Sequence, residues 1–407
     1  MKNTSTAHSF NDIKIEYNRL ANLKKWLNQN YPEYKNITLI SDENIIKSTI
    51  NIFADDLFSN FNNKIIIHEA RDDIKIAHRI INDIKQNSHC DLIIAIGSGT
   101  INDLTKFVAK EINLPYIICP SATSMNGYLS ANSSLTIGNH KQSIATKQAI
   151  AVFIDSNLIK EAPQDLNKAG IADLLAFYSC YFDWLLSHLL FNTNFCQSAI
   201  DFTSADADNL RKNFKNFNLK EDNFINHLMA MLLRSGQAMT IAKGSYPASQ
   251  SEHLIAHSLQ MKYGNIFKNI YHGRQIASTI FTSLELQEKI INSEEILELK
   301  DATFNYNQIV SFFDAEVANQ CQHEYELKIN ILQKNDIFNQ ITKEKWLAIK
   351  QKLSKIYLPI SELIAIFHHF EIDYNLDYFN ISNSQYQEVV DISRFIRNRI
   401  TCLDFKI

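Results

Sequence analysis

The sequence predicts an α/β domain with a mainly parallel sheet at residues 1–162, followed by an all-α domain at residues 163–407. Short Ile- and Val-rich runs alternate with helical stretches from about Asn36 to Ile154, whereas no clear strand pattern follows Pro163. All nine glycines lie within Gly97–Gly273, so glycine is concentrated in segments that come from distant parts of the chain. Together these observations predict two domains of different texture and one functional region.

Five short runs predict the strands of the first domain, because each is rich in β-branched residues and bounded by turn residues. They are ITLISDENI, NKIIIHEA, CDLIIAIGSG, LPYIICPSA and AIAVFIDSN. The segments between them, such as Asp72–Gln86, have helical apolar spacing. Apolar strands that alternate with helices indicate a parallel sheet covered on both faces. In such a sheet, ligands bind outside the carboxyl ends of the strands.

Long stretches of apolar periodicity predict the helices of the second domain. They are Ile171–Phe191, Asn223–Ala242, Glu252–Met261, Ile276–Leu286, Lys343–Leu353, Ser361–Phe370 and Tyr386–Ile400. The first is apolar enough to suggest a membrane span, but it carries Asp173, Asp183 and His188. Charged residues are rare in membrane helices, so we expect a buried helix of a soluble protein.

Composition narrows the class of protein and its partners. The 407 residues, 45% hydrophobic and 21% charged, describe a soluble globular chain with a sizeable core. A net charge of -4 argues against nucleic acid or a membrane surface as the main partner. The six cysteines show no C-x-x-C spacing, which excludes a thiolate zinc site and a disulfide framework. With no apolar signal segment at the N-terminus, we expect a cytoplasmic protein.

A glycine-containing turn, GSGTIND at Gly97–Asp103, joins a predicted strand to a predicted helix. Its glycines allow close approach of the backbone, Thr100 can cap the helix, and the free N–H groups favour a pyrophosphate. The third glycine of the dinucleotide fingerprint is absent, so a structural tight turn is equally consistent with these residues. Asp42, which ends the first predicted strand, fits an acceptor for an adenosine ribose or, more simply, a helix N-cap.

A candidate metal site comes from three segments of the second domain. His253 and His257 lie one helical turn apart in SQSEHLIAHSLQM, and His272 starts a predicted helix beside a glycine. Asp173 lies in the first turn of an apolar helix, where an unpaired carboxylate is costly. One carboxylate and two imidazoles with a vacant position make a catalytic metal set. A lone H-x3-H pair is more often packing, so the residues alone leave both interpretations open.

The order of the motifs resembles that of the sn-glycerol-1-phosphate dehydrogenases, especially their bacterial branch. These belong with the iron-containing alcohol dehydrogenases, glycerol dehydrogenases and dehydroquinate synthases. The motifs are GSGTINDLTK, SATSMNGYLSANSSLT, AGIADLLAFYSCYFDWLLSHLL, SYPASQSEHLIAHSLQM and YHGRQ. The resemblance runs from roughly Asp42 to the C-terminus, where RFIRNRITCLDF resembles the family's ending. It implies a dehydroquinate synthase-like fold with a dinucleotide-binding α/β domain and a helical metal- and substrate-binding domain.

The resemblance also implies two cofactors, NAD(H) or NADP(H) and one divalent metal (Zn, Ni or Fe). By motif, Asp42 meets the adenosine end of the nucleotide, and the pyrophosphate is cradled by Gly97, Ser98, Gly99, Thr100 and Ile101. The nicotinamide side is flanked by Ser121, Ala122, Thr123, Ser124 and Ser130. Asp173, His253 and His272 hold the metal. The implied catalytic residues are Asp173, His257 and Asn126, the last two turned towards the substrate.

Two residues depart from the family pattern. Asn126 stands where the family usually has Asp, and Phe177 where it has a basic residue. Asparagine keeps hydrogen bonding but loses a negative charge and the ability to accept a proton. Phe177 removes a cation one helical turn from Asp173. Either change can alter the substrate or weaken activity.

The reaction implied by the resemblance is the reduction of dihydroxyacetone phosphate to sn-glycerol 1-phosphate by a homodimer. Its partner is a small phosphorylated triose, with no nucleic acid and no membrane. The alternatives are a glycerol or polyol dehydrogenase, a dehydroquinate synthase-like enzyme on the same scaffold, or a non-catalytic relative that binds NAD and metal. A phosphate ester needs a cation, and the sequence does not choose among Lys106, Lys141, Lys243 and Arg274.

Overall fold

The computed structural model describes residues 8–10, 13–50, 61, 63–86, 89–267, 270–301, 303–333 and 336–407. The chain forms two compact units. The α/β unit consists of Met1–Ile137, Lys141–Gly170 and Phe217–Thr240, and the helical unit of Gly138–His140, Ile171–Asn216 and Ile241–Ile407. The units interleave along the sequence, so the α/β unit includes residues beyond the predicted range of 1–162.

A seven-stranded sheet in the order β1-β2-β9-β6-β5-β3-β4 forms the centre of the α/β unit. Its strands are β1 His8–Phe10, β2 Ile13–Tyr17, β3 Ile37–Asp42, β4 Asn63–Ile67, β5 Leu92–Gly97, β6 Tyr116–Pro120 and β9 Ala151–Ile154, while β7 Asn132–Ile137 and β8 His140–Ala145 form a separate pair. Only the β1–β2 pairing in the described sheet is antiparallel. The predicted mainly parallel sheet is confirmed, and each of the five predicted strands is present.

Four of the described strands before Pro163 were not predicted from the sequence. The pattern of β2, Ile-Lys-Ile-Glu-Tyr, alternates in polarity, and the strand pairs in parallel with β9 near one edge of the sheet. The β7–β8 pair is built from polar residues with little apolar content. Both segments lack the continuous apolar run that identifies β5, all six residues of which are buried.

The remaining regular structure of the described residues is mainly α-helical. In chain order they are α1 Leu23–Asn30, α2 Glu43–Ile50, α3 Ile74–Gln86, α4 Gly99–Glu111, α5 Ser156–Glu161, α6 Gln164–Phe191, α7 Gln197–Asn213, α8 Asp222–Ile241, α9 Ser251–Lys262, α10 Gly264–Phe267, α11 His272–Asn292, α12 Tyr306–Phe312, α13 Ala315–Gln333, α14 Asp336–Asn339, α15 Lys343–Ser354, α16 Ile360–His369 and α17 Asn383–Ser393. The predicted all-α character of the second half is confirmed. It is accompanied by one two-residue ladder, β10 Glu298–Leu299 with β11 Phe405–Lys406.

The predicted helix at Tyr386–Ile400 is wrong beyond Ser393, where α17 ends. The basic residues that follow make tertiary hydrogen bonds instead of continuing the helix. Arg399 Nη2 donates to Ser245 Oγ at 2.6 Å, and its Nη1 donates to the carbonyl oxygen of Ser249. These contacts fix the segment before α9, so the C-terminal stretch supports the part of the chain that carries the predicted histidines.

The long apolar helix α6 is of a length and composition that would cross a membrane, yet 78% of its apolar window is buried within the protein. Its charged residues have protein partners. Asp183 accepts hydrogen bonds from the backbone N–H of Ser251 and Cys402 and from Gln287 Nε2. These donors stabilise a carboxylate that is completely buried. The helix therefore brings acidic side chains into the interior of the helical unit.

The carboxyl ends of β3, β5 and β6 lie side by side in the sheet. The chain runs outward from β3 to β4 in one direction and from β5 through β6 to β9 in the other. The winding thus reverses between β3 and β5, and open parallel sheets bind ligands at such a reversal. Asp42, Gly97 and Ser121 lie at or directly after these three strand ends.

We predict that Gly170→Ala lowers the stability of the protein. A Cβ on Gly170 would lie 1.8 Å from the carbonyl oxygen of Thr123, and a backbone atom cannot rotate away. Overpacking of this kind costs about 1–3 kcal/mol in free energy of unfolding, to be measured by urea denaturation. The control is Gly264→Ala, because nothing lies within 4 Å of a Cβ there. Equal stability of the two variants would contradict the close approach of α6 to the backbone at Thr123.

Candidate functional site

Three ligand-type side chains meet within the helical unit. Asp173 on α6, His253 on α9 and His272 at the start of α11 have candidate donor atoms that all lie within 4.8 Å of one another. His253 Nε2 is 3.4 Å from Asp173 Oδ1, and the rings of His253 and His272 are 5.1 Å apart between centroids. The structure therefore brings together the three residues predicted as metal ligands.

The charges at this cluster favour a cation. Asp173 is 1% exposed and His253 is 4% exposed. Burial lowers the pKa of His253, but hydrogen bonds with Asp173 and Glu252 outweigh burial and raise that pKa to about 9. Protons and metal ions compete for the same imidazole nitrogen, so a site that attracts one positive charge also suits the other. One carboxylate and two imidazoles fit a divalent ion such as Zn²⁺, Ni²⁺ or Fe²⁺.

His257 lies beside the three candidate ligands. Its ring centroid is 6.0 Å from that of His253 and 5.8 Å from that of His272. The ring is partly exposed, unlike the buried ring of His253. This position suits a group that transfers a proton next to a metal, and the catalytic role of His257 stays a prediction.

Glu252 is a residue of this site that the sequence analysis did not single out. It is completely buried, and its Oε1 accepts a hydrogen bond from His253 Nδ1 at 2.7 Å. Burial raises the pKa of Glu252, but the bonds from His253, Cys180 and Ser179 lower it to about 2, so the group is a carboxylate. The available signal was an acidic residue directly before a predicted ligand on a buried helix.

The structure places Asp42 at the end of β3, with its side chain at the start of α2. Oδ1 accepts hydrogen bonds from the backbone N–H of Asn44 at 2.9 Å and of Ile45 at 3.1 Å. Burial raises the pKa of Asp42, and these two bonds oppose the rise. Asp42 therefore caps the N-terminus of α2, as the simpler interpretation of the sequence predicts. Both capping bonds use Oδ1, and they do not test a ribose contact through the same side chain, which stays a prediction.

The Gly97–Ile101 turn lies at the end of β5, as predicted. A Cβ on Gly97 would lie 2.6 Å from Ile101 Cβ, and one on Gly99 would lie 2.7 Å from Met125 Sδ. Gly97 is therefore required by the packing of the turn itself, whereas a side chain at Gly99 would require the flexible Met125 side chain to move. The prediction that Thr100 caps the helix is wrong, because α4 begins at Gly99 and Ser98 occupies the N-cap position. In this described segment the Ser98 side chain makes no capping hydrogen bond.

The loop after β6 contains the other predicted cofactor residues and Asn126. Within Ser121–Ser124, the Thr123 N–H and hydroxyl both donate to Asn167 Oδ1 at 2.9 Å, and Ser124 Oγ is 3.0 Å from Tyr128 OH. Internal hydrogen bonds thus fix this loop at the carboxyl edge of the sheet. Asn126, which is buried, and Ser130 belong to the same α/β unit, whereas the candidate metal ligands belong to the helical unit.

Phe177, the second departure from the family pattern, is buried one helical turn after Asp173. Its ring packs against Tyr178 at 5.4 Å and against Tyr181 at 5.8 Å between centroids. The position where the family usually carries a cation is therefore part of an aromatic cluster. A phosphate group would need a positive charge from another residue.

The candidate cations differ in their surroundings. The Lys106 side chain is 0% exposed, and its Nζ donates to Asp103 Oδ1 at 3.1 Å, Ser130 Oγ at 3.0 Å and the carbonyl oxygens of Gly127 and Asn132. An ammonium group has three N–H donors, so these four oxygens saturate it. Lys106 therefore serves the loop after β6 rather than a ligand.

Of the other three candidate cations, two form ion pairs and one is exposed. Lys141 pairs with Asp72, and Arg274 Nη2 pairs with Asp373 at 2.8 Å. Lys243 is exposed and has a left-handed backbone with φ 54°. Of the four, Lys243 alone has an exposed side chain.

We predict that Lys106→Met destabilises the protein strongly. The substitution leaves the Asp103 carboxylate and several loop oxygens buried without their cation, and breaking a buried pair in this way costs about 3–5 kcal/mol. The free energy of unfolding, from urea titration, measures the loss. The control is Lys110→Met on the same helix, whose side chain is 44% exposed and for which we expect a change within about 0.5 kcal/mol. Similar values for the two variants would contradict the structural role of Lys106.

Comparison with known proteins agrees with this architecture. The family model for iron-containing alcohol dehydrogenase matches residues 14–163. Glycerol-1-phosphate dehydrogenase (NAD(P)+) of Bacillus licheniformis is 32% identical over 204 residues, which are 50% of this chain and 51% of that protein. The enzyme of the same name from Pyrococcus horikoshii is 32% identical over 60% of this chain and 66% of its own length. That from Bacillus velezensis is 29% identical over 71% of this chain and 74% of its own.

Solved structures show the same fold. Sulfoacetaldehyde reductase from Bifidobacterium kashiwanohense, in complex with NAD+, superposes with a TM-score of 0.60 at 14% identity, over 98% of this chain and 96% of that one. A probable glycerol dehydrogenase from Sinorhizobium meliloti gives a TM-score of 0.54 at 14% identity, over 86% of this chain and 99% of its own. The match to the B. licheniformis relative covers about half the length of that protein. Over residues 14–163 the chain matches the iron-containing alcohol dehydrogenase family, and it is a homologue of bacterial and archaeal glycerol-1-phosphate dehydrogenases.

Proposed function

We propose that the chain is a metal-dependent, NAD(P)H-linked oxidoreductase that reduces dihydroxyacetone phosphate to sn-glycerol 1-phosphate. The observation that carries the proposal is the convergence of the buried Asp173 and His253 with the partly exposed His272, with His257 beside them. The relatives named glycerol-1-phosphate dehydrogenase (NAD(P)+) support the choice of substrate and nucleotide. We further propose a cytoplasmic homodimer that acts on a small phosphorylated triose.

Each residue then has a chemical task. When bound, the divalent ion supplies Lewis-acid polarisation of a carbonyl, and the nicotinamide supplies hydride. Asp173, His253 and His272 would hold the ion from three different helices, and the burial of Asp173 and His253 limits the access of bulk water. His257 donates the proton that the C2 oxygen gains in the reduction. Asn126 donates a hydrogen bond to a substrate oxygen.

The α/β unit holds the nucleotide in this proposal. The N-terminus of α4 offers free N–H groups and a favourable dipole to the pyrophosphate. The Asp42 carboxylate accepts a hydrogen bond from a ribose hydroxyl and repels a 2′-phosphate by like charge, which favours NAD(H) over NADP(H). Ser121–Ser124 and Ser130, in the loop after β6, lie next to the nicotinamide in this proposal.

The metal role is tested with Asp173→Ala and His253→Ala. Both variants should lose the bound divalent ion and the oxidation of NADH, because each removes one of three ligands, while NADH binding persists. Metal content is measured by mass spectrometry and nucleotide binding by fluorescence. His368→Ala, an exposed histidine of the helical unit, is the control and should keep its metal. Full activity in metal-free His253→Ala would rule out the metal role.

The substrate is tested by comparing dihydroxyacetone phosphate with dihydroxyacetone in metal-loaded protein. A phosphate dianion held by a cation supplies binding energy that positions the carbonyl. We expect kcat/KM to favour the phosphate ester by at least about 100-fold, roughly 3 kcal/mol or one to two charge-assisted contacts. Lys243→Gln should reduce that preference and spare the reaction of dihydroxyacetone.

Other outcomes of this assay identify the alternatives. Equal efficiency with both compounds would contradict the glycerol-1-phosphate assignment and favour a polyol dehydrogenase. Phe177, an aromatic residue where the family usually has a cation, would then explain why the phosphate adds no binding energy. Inactivity with both, in protein shown to hold metal and NADH, would favour a non-catalytic relative.

A further inference from the structure

Glu252 lies at the point where the three ligand-bearing helices of the helical unit are joined. We propose that Glu252 is a positioning residue, which fixes the His253 ring with Nε2 towards Asp173 and thereby strengthens divalent-metal binding. The inference rests on the metal site of the proposed function. It adds to that function a residue that touches neither the substrate nor, by this proposal, the ion.

The first support is the geometry of the imidazole. Oε1 of Glu252 is 2.7 Å from His253 Nδ1, whereas Nε2 on the other side of the ring is 3.4 Å from Asp173 Oδ1. A neutral imidazole carries its proton on one nitrogen and binds a metal through the other. A carboxylate can only accept at Nδ1, so it selects the Nδ1–H tautomer. It also makes Nε2 a more basic ligand.

The second support is that the carboxylate is itself held in place. Oε1 also accepts hydrogen bonds from the Gln250 N–H at 2.8 Å and from Cys180 Sγ at 2.9 Å. Oε2 accepts from Ser179 Oγ at 2.6 Å, and Gln287 Nε2 donates to the Ser179 carbonyl oxygen at 3.1 Å. With donors on both oxygens, the Glu252 side chain cannot rotate without breaking several buried hydrogen bonds. The hydrogen bonds that hold the Glu252 side chain therefore also fix the orientation of the His253 ring.

The third support is that Glu252 links all three ligand-bearing helices. It lies on α9 with His253, and its side chain bonds to Ser179 and Cys180 on α6, which carries Asp173. Its carbonyl oxygen accepts a hydrogen bond at 2.8 Å from Thr279 Oγ1 on α11, the helix that begins at His272. The relative placement of three ligands from three helices therefore depends on contacts of this one residue.

The competing interpretation is that Glu252 itself binds a metal ion, together with Cys180 and His253. Cys180, Glu252 and His253 also offer donor atoms within 4.8 Å of one another. A soft ion bound there would take His253 through Nδ1. The hydrogen bonds already made by both Glu252 oxygens favour the positioning role, and a variant of Cys180 separates the two.

The experiment measures Co²⁺ binding to the full chain after metal removal, by competition with a chromophoric chelator and by the visible absorption of bound Co²⁺. Glu252→Ala should weaken the affinity about 10- to 100-fold, the range for loss of the partner of a ligating histidine. Glu252→Gln, which keeps an oxygen acceptor for Nδ1, should lose less and retain the spectrum of the intact ligand set. Glu285→Gln, an exposed carboxylate on α11, is the matched control and should not change the affinity.

Several results would overturn the proposal. One is affinity equal to that of the unsubstituted protein in folded Glu252→Ala and Glu252→Gln. If Glu252→Ala does not fold, Glu252→Gln alone decides, and an affinity there equal to that of the unsubstituted protein would refute the role. A larger loss in Cys180→Ser than in Glu252→Ala would assign the ion to the thiol set. If the unsubstituted chain binds no Co²⁺, the metal site of the proposed function fails, and this inference fails with it.

Discussion

The helical unit depends on a buried imidazole that lies between two buried carboxylates. Asp173 approaches one nitrogen of His253 and Glu252 the other, at 3.4 Å and 2.7 Å. Two negative charges without water require positive charge near them, since burial of an unpaired carboxylate is costly. A protonated His253 supplies one such charge, and a divalent cation at the same point supplies more. This compensation lowers the cost of burying Asp173 on the apolar helix α6.

In the α/β unit, a buried lysine compensates buried oxygen atoms in a similar way. Lys106 extends from α4 into the loop after β6, where it satisfies carbonyl and hydroxyl oxygens that would otherwise be buried without donors. The loop is therefore ordered around a cation of the protein itself. The Met125 side chain of this loop lies beside Gly99, the first residue of α4.

Much of this organisation could be predicted from the sequence. Apolar runs such as LIIAIG identify buried parallel strands, and the spacing of His253 and His257 places both on one side of α9. What could not be predicted depended on partners distant in the sequence. The sequence favours a helix N-cap at Asp42 without excluding a ligand contact, and the capping bonds are seen only once Asn44 and Ile45 are placed. Lys106 looks like a free cation until its four oxygen acceptors are seen, and Glu252 has no spacing pattern that reveals its contact with Ser179.

The interleaving of the two units has a consequence for synthesis of the chain. The α/β unit takes its last segment from Phe217–Thr240, where Thr240 Oγ1 accepts from the Ala131 N–H at 3.1 Å and Gln237 Oε1 accepts from Gln148 Nε2 at 2.7 Å. The loop that contains Asn126 also packs against Gly236, with no room for a Cβ. On a ribosome, which adds about 5–20 residues per second, the α/β unit must therefore wait for residue 240 to emerge. By then all of α6 and α7 have already been made, so part of the helical unit leaves the ribosome before the α/β unit has its last segment.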